Sequence, residues 1–144
     1  MNIKKLLEQS RQSLYHATTL NRAFSILQND TLEGRTKQKT EHGILVGTSL
    51  SREKSFAVNW NGVVFELNWD LLKQNHKIIP VDFLDKSKHF NIKRRYASEE
   101  FIMGDIKNIK RYIVNIIFNL DRHDDDFEDL INELDKEGIP YTVL

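Results

Sequence analysis

The chain has 144 residues, and its 21 lysine and arginine residues balance its 21 aspartate and glutamate residues, so the formal net charge is zero. At roughly 100–200 residues per domain, this length corresponds to one globular domain with its own core. The absence of cysteine excludes disulfides, thiolate nucleophiles and cysteine zinc sites. No apolar run approaches the ~18 residues that a membrane span needs, and zero net charge argues against general affinity for nucleic acid.

The first third of the chain predicts helices on either side of a strand. Apolar spacing indicates a helix over 2–12, a strand over 13–18 and a helix over 20–28. A short extended piece follows at 31–34. Residues 35–43 are polar and without periodicity, so we predict a loop there.

The rest of the chain predicts mostly strands. We predict these strands over 44–50, 62–69, 77–83, 99–103, 112–118 and 140–144. Short helices are expected at 51–58, capped by Ser51, and at 71–74, capped by Asp70. Pro80 favours a sheet edge or a bend, because proline cannot donate to the ladder of a central strand.

The C-terminal part of the chain is strongly acidic. Residues 121–137 contain nine aspartates and glutamates against two basic residues, whereas residues 86–95 carry five basic residues and no acid. Acids at Asp124 and after it favour the start of a helix, which we expect over 124–137 with its end at Gly138. Charge runs are usually solvated surfaces. We predict that 121–144 is an acidic helix–strand appendage and that helix 124–137 is a candidate surface for a protein partner.

The order of these elements predicts the fold class. Several strands follow each other too closely for βαβ crossovers. We therefore expect a single α+β domain over 1–144, with a mixed, mainly antiparallel sheet and helices packed on it.

The first candidate motif is the strand that carries His16 and Thr18. Residues two apart on a strand share one face, so these side chains can hydrogen-bond one ligand, such as a ribose. The alternative is a half-buried histidine that is bonded to a backbone carbonyl.

The second candidate motif places Ser49, Ser51 and Arg52 where a strand meets a helix start. Such a point offers free backbone N–H groups and suits a phosphate or carboxylate. The alternative is ordinary capping by Ser51, with Arg52 in water.

The third candidate motif is the pair Glu99 and Glu100 at the start of an apolar strand. Neighbours on a strand face opposite ways, so one carboxylate can enter a cleft while the other faces solvent. A cleft glutamate could bind a ribose hydroxyl, stabilise an oxocarbenium ion or act as a base. The alternative is that both are surface acids whose charges balance those of Arg94 and Arg95.

Several common sites find no support in the sequence. The five histidines lack HExxH and H-x-H spacing, so we expect no metal site. Neither a P-loop nor a G-x-G-x-x-G motif is present.

In order along the chain, the three motifs resemble the ADP-ribosyltransferase superfamily, especially its small phage and bacterial members. The resemblance is carried by Leu-Tyr-His-Ala-Thr at 14–18, Thr-Ser-Leu-Ser-Arg at 48–52 and Glu-Glu-Phe-Ile at 99–102. It covers about residues 13–118. It implies a split sheet with an NAD-binding cleft.

The resemblance also implies a function and a set of roles. His16 and Thr18 would hold a ribose of NAD, Ser49 and Ser51 would brace the cleft, Arg52 would meet the pyrophosphate, and Glu99 or Glu100 would be catalytic. The chain would be a cytoplasmic, NAD-dependent mono-ADP-ribosyltransferase that modifies a macromolecular target. It would act in a bacterial or phage-infected cell, on host or defence components, with NAD as substrate and without a metal.

One departure keeps a second function open. Many arginine-modifying relatives have Glu-x-Glu, whereas here Ala97 lies two residues before Glu99. The alternative is a non-catalytic member of the same fold that acts through its charged surfaces as a protein-interaction or inhibitor module.

Overall fold

The structure is a computed structural model that describes residues 12–40, 43–54, 59–80 and 99–144. The helices within these ranges are α1 (Leu20–Asn29), α2 (Trp69–Asn75) and α3 (Asp125–Glu137). The strands are β1 (Ser13–Thr18), β2 (Thr31–Leu32), β3 (Thr36–Thr40), β4 (Gly43–Ser51), β5 (Gly62–Asn68), β6 (Ile78–Pro80), β7 (Glu99–Met103), β8 (Ile106–Lys107), β9 (Ile113–Asn119) and β10 (Tyr141–Val143). None of the described helices has the length and apolar character to cross a bilayer.

Some predictions lie outside the described residues. They are the helix at 2–12 apart from Gln12, the part of the 51–58 helix at 55–58, the part of the 77–83 strand at 81–83, and the basic run at 86–95.

One large sheet organises the fold. Its strand order is β10-β9-β5-β1-β4-β7-β6, with β3 paired to the free part of β4, and β2 and β8 form a separate small pair. Every pairing is antiparallel except that of β9 with β10. The predicted α+β class with a mixed, mainly antiparallel sheet is confirmed. Pro80 lies in β6 at the sheet edge, as expected.

The main core forms where the helices cover the sheet. Alternation along β1 sends Leu14 into this core and Tyr15 into a smaller cluster with Val64 and Ile117. The helices contribute apolar stripes at helical spacing. The stripe residues are Ala23, Ile26 and Leu27 of α1 and Phe127, Leu130 and Leu134 of α3.

The C-terminal segment is built into this core. The Phe127 ring packs edge-on against Phe118 of β9, with ring centroids 5.3 Å apart. β10 then extends the sheet through the pair Tyr141↔Ile116. Residues 125–143, which the sequence suggested as an appendage, thus share the layers of the rest of the domain, because the α3 stripe covers the apolar face of β9.

Helix ends follow the expected capping chemistry with one exception. The Asp124 side chain accepts a hydrogen bond from the Phe127 N–H, and Gly138 ends α3 in the left-handed region. The prediction that Asp70 caps α2 was wrong. The Asn68 side chain caps it by accepting from the Leu71 N–H at 3.1 Å, so the helix begins earlier than the sequence predicted, at Trp69.

The predicted loop at 35–43 was also wrong. β3 pairs antiparallel with β4 from Thr36↔Gly47 to Thr40↔Gly43. Lys37 and Lys39 of this strand are exposed, and the buried residue between them, Gln38, is also polar, so no apolar alternation marks β3 as a strand. We call residues 36–47 the β3–β4 arm.

Candidate functional site

The sheet opens between β1 and β4. β1 pairs with β5 along its whole length, from Ser13↔Asn68 to Thr18↔Val63. On its other side it pairs with β4 only at Tyr15↔Ser51. Beyond that pair the two strands separate, so the backbone groups along the facing edges of β1 and β4 do not pair with each other across the gap.

A cleft of about 190 Å³ occupies this gap. Its walls come from β1, α1, the β2–β3 connection and β4. Among its lining residues are His16, Thr18, Arg22, Ser25, Asn29, Arg35, Thr36 and Thr48. Sites that enclose a drug-sized ligand usually measure about 300–1,000 Å³. The cleft therefore suits a polar part of a ligand, such as a ribose with a neighbouring phosphate.

The α1 helix supplies a polar wall that the sequence motifs missed. Arg22, Ser25 and Asn29 lie three and four residues apart, so they share one helix face, next to the buried stripe. The Asn29 side-chain amide donates to the Ser25 hydroxyl at 3.3 Å, which orders this face. The signal was present in the sequence as a polar i, i+3, i+7 pattern just after the strand that bears His16.

His16 bridges the opening of the sheet. Its imidazole makes a hydrogen bond to the backbone of Ser49 on β4, where backbone pairing between the strands has ended. Burial, aided by the positive charge of Arg22, lowers the pKa of His16 to about 4, although the hydrogen bond to the Ser49 backbone acts in the opposite direction. The ring is therefore neutral at neutral pH.

This histidine predicts a pH-dependent stability. Below pH 6.5 the unfolded chain binds a proton that folded His16 does not take up until about pH 4. The free energy of unfolding should thus fall as the pH drops from 6.5 to 4, by up to about 3 kcal/mol from this group. Denaturant melts of wild type and His16→Gln across this range test it: the difference between the two proteins should change with pH. A constant difference would contradict the assignment.

The floor of the cleft is held by hydroxyl and carboxylate contacts. Thr48 is buried and donates its hydroxyl proton to the Gly104 carbonyl at 3.2 Å. The Asp105 carboxylate accepts from the Gly34 N–H at 2.8 Å. These bonds fix the β2–β3 connection and the turn after β7 against β4.

The cationic groups of the cleft are Arg22 and Arg35. At the exposed rim of the cleft, Arg35 forms an ion pair with Glu33. The distance from Arg35 Nη2 to Glu33 Oε2 is 2.7 Å. Such an exposed pair contributes little to stability and can exchange partners when an anion enters. The cleft thus offers two guanidinium groups beside a neutral imidazole and threonine hydroxyls.

The two glutamates lie on opposite faces of the sheet. On β7, Glu99 is in register with Ser51 and Glu100 with Leu50. Because side chains alternate along a strand, Glu100 shares the face of Leu50 and Ile102, which belong to the main core. Glu99 shares the opposite face with Ser49 and Ser51.

Six of the seven predicted site residues form three pairs, and Ser51 stands apart from them. His16 and Thr18 line the cleft, whereas the five other predicted residues are not among its lining residues. The Ser49 hydroxyl donates to Glu99 Oε2 at 3.1 Å, and Arg52 Nε lies 3.6 Å from Glu100 Oε1. Ser51 is the last residue of β4, and its hydroxyl accepts from the Glu53 N–H at 3.1 Å, but no helix begins at Ser51 as the sequence predicted, since Arg52 and Glu53 are not helical.

No family model, curated protein or solved structure matches this chain.

Arg52 borders a different cavity from the one predicted for it. This cavity, about 230 Å³, is also lined by Gln12, Ser13, Tyr15 and Trp69. Burial and the nearby Glu66 raise the pKa of Tyr15. The Tyr15 side chain lies on the face of β1 opposite that of His16, and the second cavity, which Arg52 also lines, shares no lining residue with the cleft.

In the described part of the chain, no three histidine, aspartate or glutamate side chains are grouped so that they could hold a metal ion.

Proposed function

We propose that the chain is an NAD-dependent mono-ADP-ribosyltransferase that modifies a macromolecular target. The observation that supports this most is the opening between β1 and β4, which exposes His16 and Thr18 to a polar cleft. A cleft at a split in a sheet is what the sequence resemblance implies for NAD. We also propose that the chain has the fold of the ADP-ribosyltransferase superfamily.

Under this proposal the cleft holds one ribose and the pyrophosphate. The neutral His16 ring and the Thr18 hydroxyl bond the ribose hydroxyls. Arg22 and Arg35 provide positive charge for the pyrophosphate, because guanidinium groups suit phosphate oxygens. Arg52, to which the sequence resemblance gave that role, instead lies near Glu100.

The reaction is a substitution at the anomeric carbon of the nicotinamide ribose. The bond from this carbon to nicotinamide breaks, and the electron pair leaves with nicotinamide. A carboxylate stabilises the resulting oxocarbenium ion and accepts the proton of the target nucleophile as the new bond forms. Glu100 lies on the sheet face that carries His16, and β4 stands between their two strands.

A second function is favoured by the burial of Glu100. This residue is only 3% exposed and lies near Arg52, and neither glutamate lines the cleft. In a non-catalytic protein of this fold, the carboxylates of Glu99 and Glu100 would only stabilise the folded structure. The chain would then act as a protein-interaction or inhibitor module, with the acidic surface of α3 as a candidate contact for its partner.

The experiment that separates the two functions measures NAD binding and turnover in the pure protein. We expect binding in a calorimeter, release of nicotinamide, and transfer of label from NAD to a species in a bacterial lysate. Arg22→Gln should weaken NAD binding by about 10-fold or more, because it removes a charge-assisted hydrogen bond. Arg111→Gln, an exposed arginine outside the cleft, is the matched control and should bind like wild type.

An absence of both NAD binding and nicotinamide release would decide against the enzyme. Equal loss of binding in Arg22→Gln and Arg111→Gln would instead decide against the cleft as the place where NAD binds.

A further inference from the structure

The β3–β4 arm presents a basic and apolar face to solvent. Its cross-strand pairs Lys37↔Val46 and Lys39↔Ile44 place two lysines and two aliphatic side chains together on that face. Ile44 is 64% and Val46 47% exposed. Within the described ranges neither lysine forms an ion pair.

The last helix, α3, which packs on β9 near the β10 edge of the sheet, carries the complementary charge. The solvent face of α3 exposes the acidic residues Asp125, Asp126, Glu128 and Asp129. None of these four takes part in an ion pair with another described residue. Beside α3, the end of the chain exposes apolar side chains as well, at Val143 and Leu144. Each surface thus combines uncompensated charge of one sign with exposed aliphatic groups.

These two surfaces are too far apart to meet within one molecule. β10 and β4 are separated in the sheet by β9, β5 and β1. Four strand spacings amount to ~19 Å, and the arm projects away from the end of β7. Since the formal net charge of the whole chain is zero, two copies do not repel each other at long range.

We propose that the β3–β4 arm docks onto the α3 surface of a second copy of this chain. The contact is head-to-tail, because the two surfaces are different patches of the same protein, so it leads to chains or closed rings. Salt weakens it, since the charged groups on both surfaces are exposed. Arg35 and Thr36 at the base of the arm line the cleft, so the docked copy lies at the cleft mouth.

The test is analytical ultracentrifugation of the full chain over a range of concentrations. In low salt, about 20 mM, the average mass should rise with concentration, and in about 500 mM salt it should return toward that of the monomer. A monomer at every concentration in low salt would overturn the proposal.

Charge-reversal variants identify the surfaces. K37E/K39E should remain monomeric in low salt, whereas K77E/K107E, an equal change of charge at two exposed lysines outside the arm, should still associate. E128K/D129K should also be monomeric alone. When it is mixed with K37E/K39E, association should return, because its intact arm meets the intact α3 surface of the other variant. Equal association of K37E/K39E and K77E/K107E, or no recovery in the mixture, would count against this contact.

Discussion

Exchange of Glu100 for glutamine should abolish transferase activity while the protein remains folded. Under the proposed function Glu100 stabilises the oxocarbenium ion and takes up a proton, so its loss should reduce nicotinamide release by about 10²–10⁴-fold. Glutamine keeps the shape of the side chain, and NAD binding through His16, Thr18 and Arg22 should change much less. Nicotinamide release and calorimetric NAD binding, measured on the same preparation, check both expectations.

Glu99→Gln is the matched control for this prediction. It makes the same chemical change one residue away, but on the opposite face of β7, where Ser49 donates to the carboxylate. We expect Glu99→Gln to keep most of the activity. If Glu99→Gln were inactive and Glu100→Gln active, the reacting ribose would have to lie on the Ser49 face of the sheet. Because Glu100→Gln also removes the negative charge that faces Arg52, it could lower stability. Thermal melts of both variants are therefore needed to show that loss of activity is not caused by unfolding.

Elements with strong local signals were predictable from the sequence. The strand β5 and the helix α3 appear where the sequence predicted them, and Asp124 and Gly138 cap the two ends of α3. Capping and periodicity act within a few residues, so they can be recognised without knowledge of the fold.

Elements that depend on distant partners were not predictable. β3 is a strand only because β4 pairs with it, and its lysines and glutamine give no apolar alternation. The two-residue strands β2 and β8 stabilise each other through Leu32↔Ile106, although these residues are far apart along the chain. Sequence patterns contain no direct record of such pairings.

The candidate site shows the same limit at the level of single side chains. The sequence could state that His16 and Thr18 share a face, because that follows from the alternation of one strand. It could not state that Ser49 and Glu99 lie on the other face, because this depends on the register of β4 with both β1 and β7. The cleft exists because the β1–β4 register ends after one pair, a tertiary feature that no local motif encodes.

At Gly47, β4 lies so close to β7 that replacing this glycine should cause the largest loss of stability that we expect from a single substitution. A Cβ atom at this position would overlap the Ile102 carbonyl oxygen and lie 2.7 Å from Phe101 Cζ and 2.9 Å from Met103 Cα. Two of these obstacles are backbone atoms of β7, which cannot turn away as a side chain can. Gly47→Ala should therefore destabilise the protein by about 3 kcal/mol or more. The melting temperature should fall by about 10 °C.

Gly104→Ala separates this steric cause from the general effect of replacing glycine. Gly104 has φ +76°, and no atom lies within 4 Å of the place that an alanine Cβ would take, so its substitution adds only backbone strain, about 1–2 kcal/mol. Gly47→Ala should thus melt well below Gly104→Ala, and equal melting temperatures would contradict the packing of β4 against β7.

Because Thr48 follows Gly47 and forms the cleft floor, a shift of β4 moves that floor relative to His16. If NAD binds in the cleft, Gly47→Ala should lose NAD affinity even at temperatures where it is folded, whereas Gly104→Ala should retain more of it.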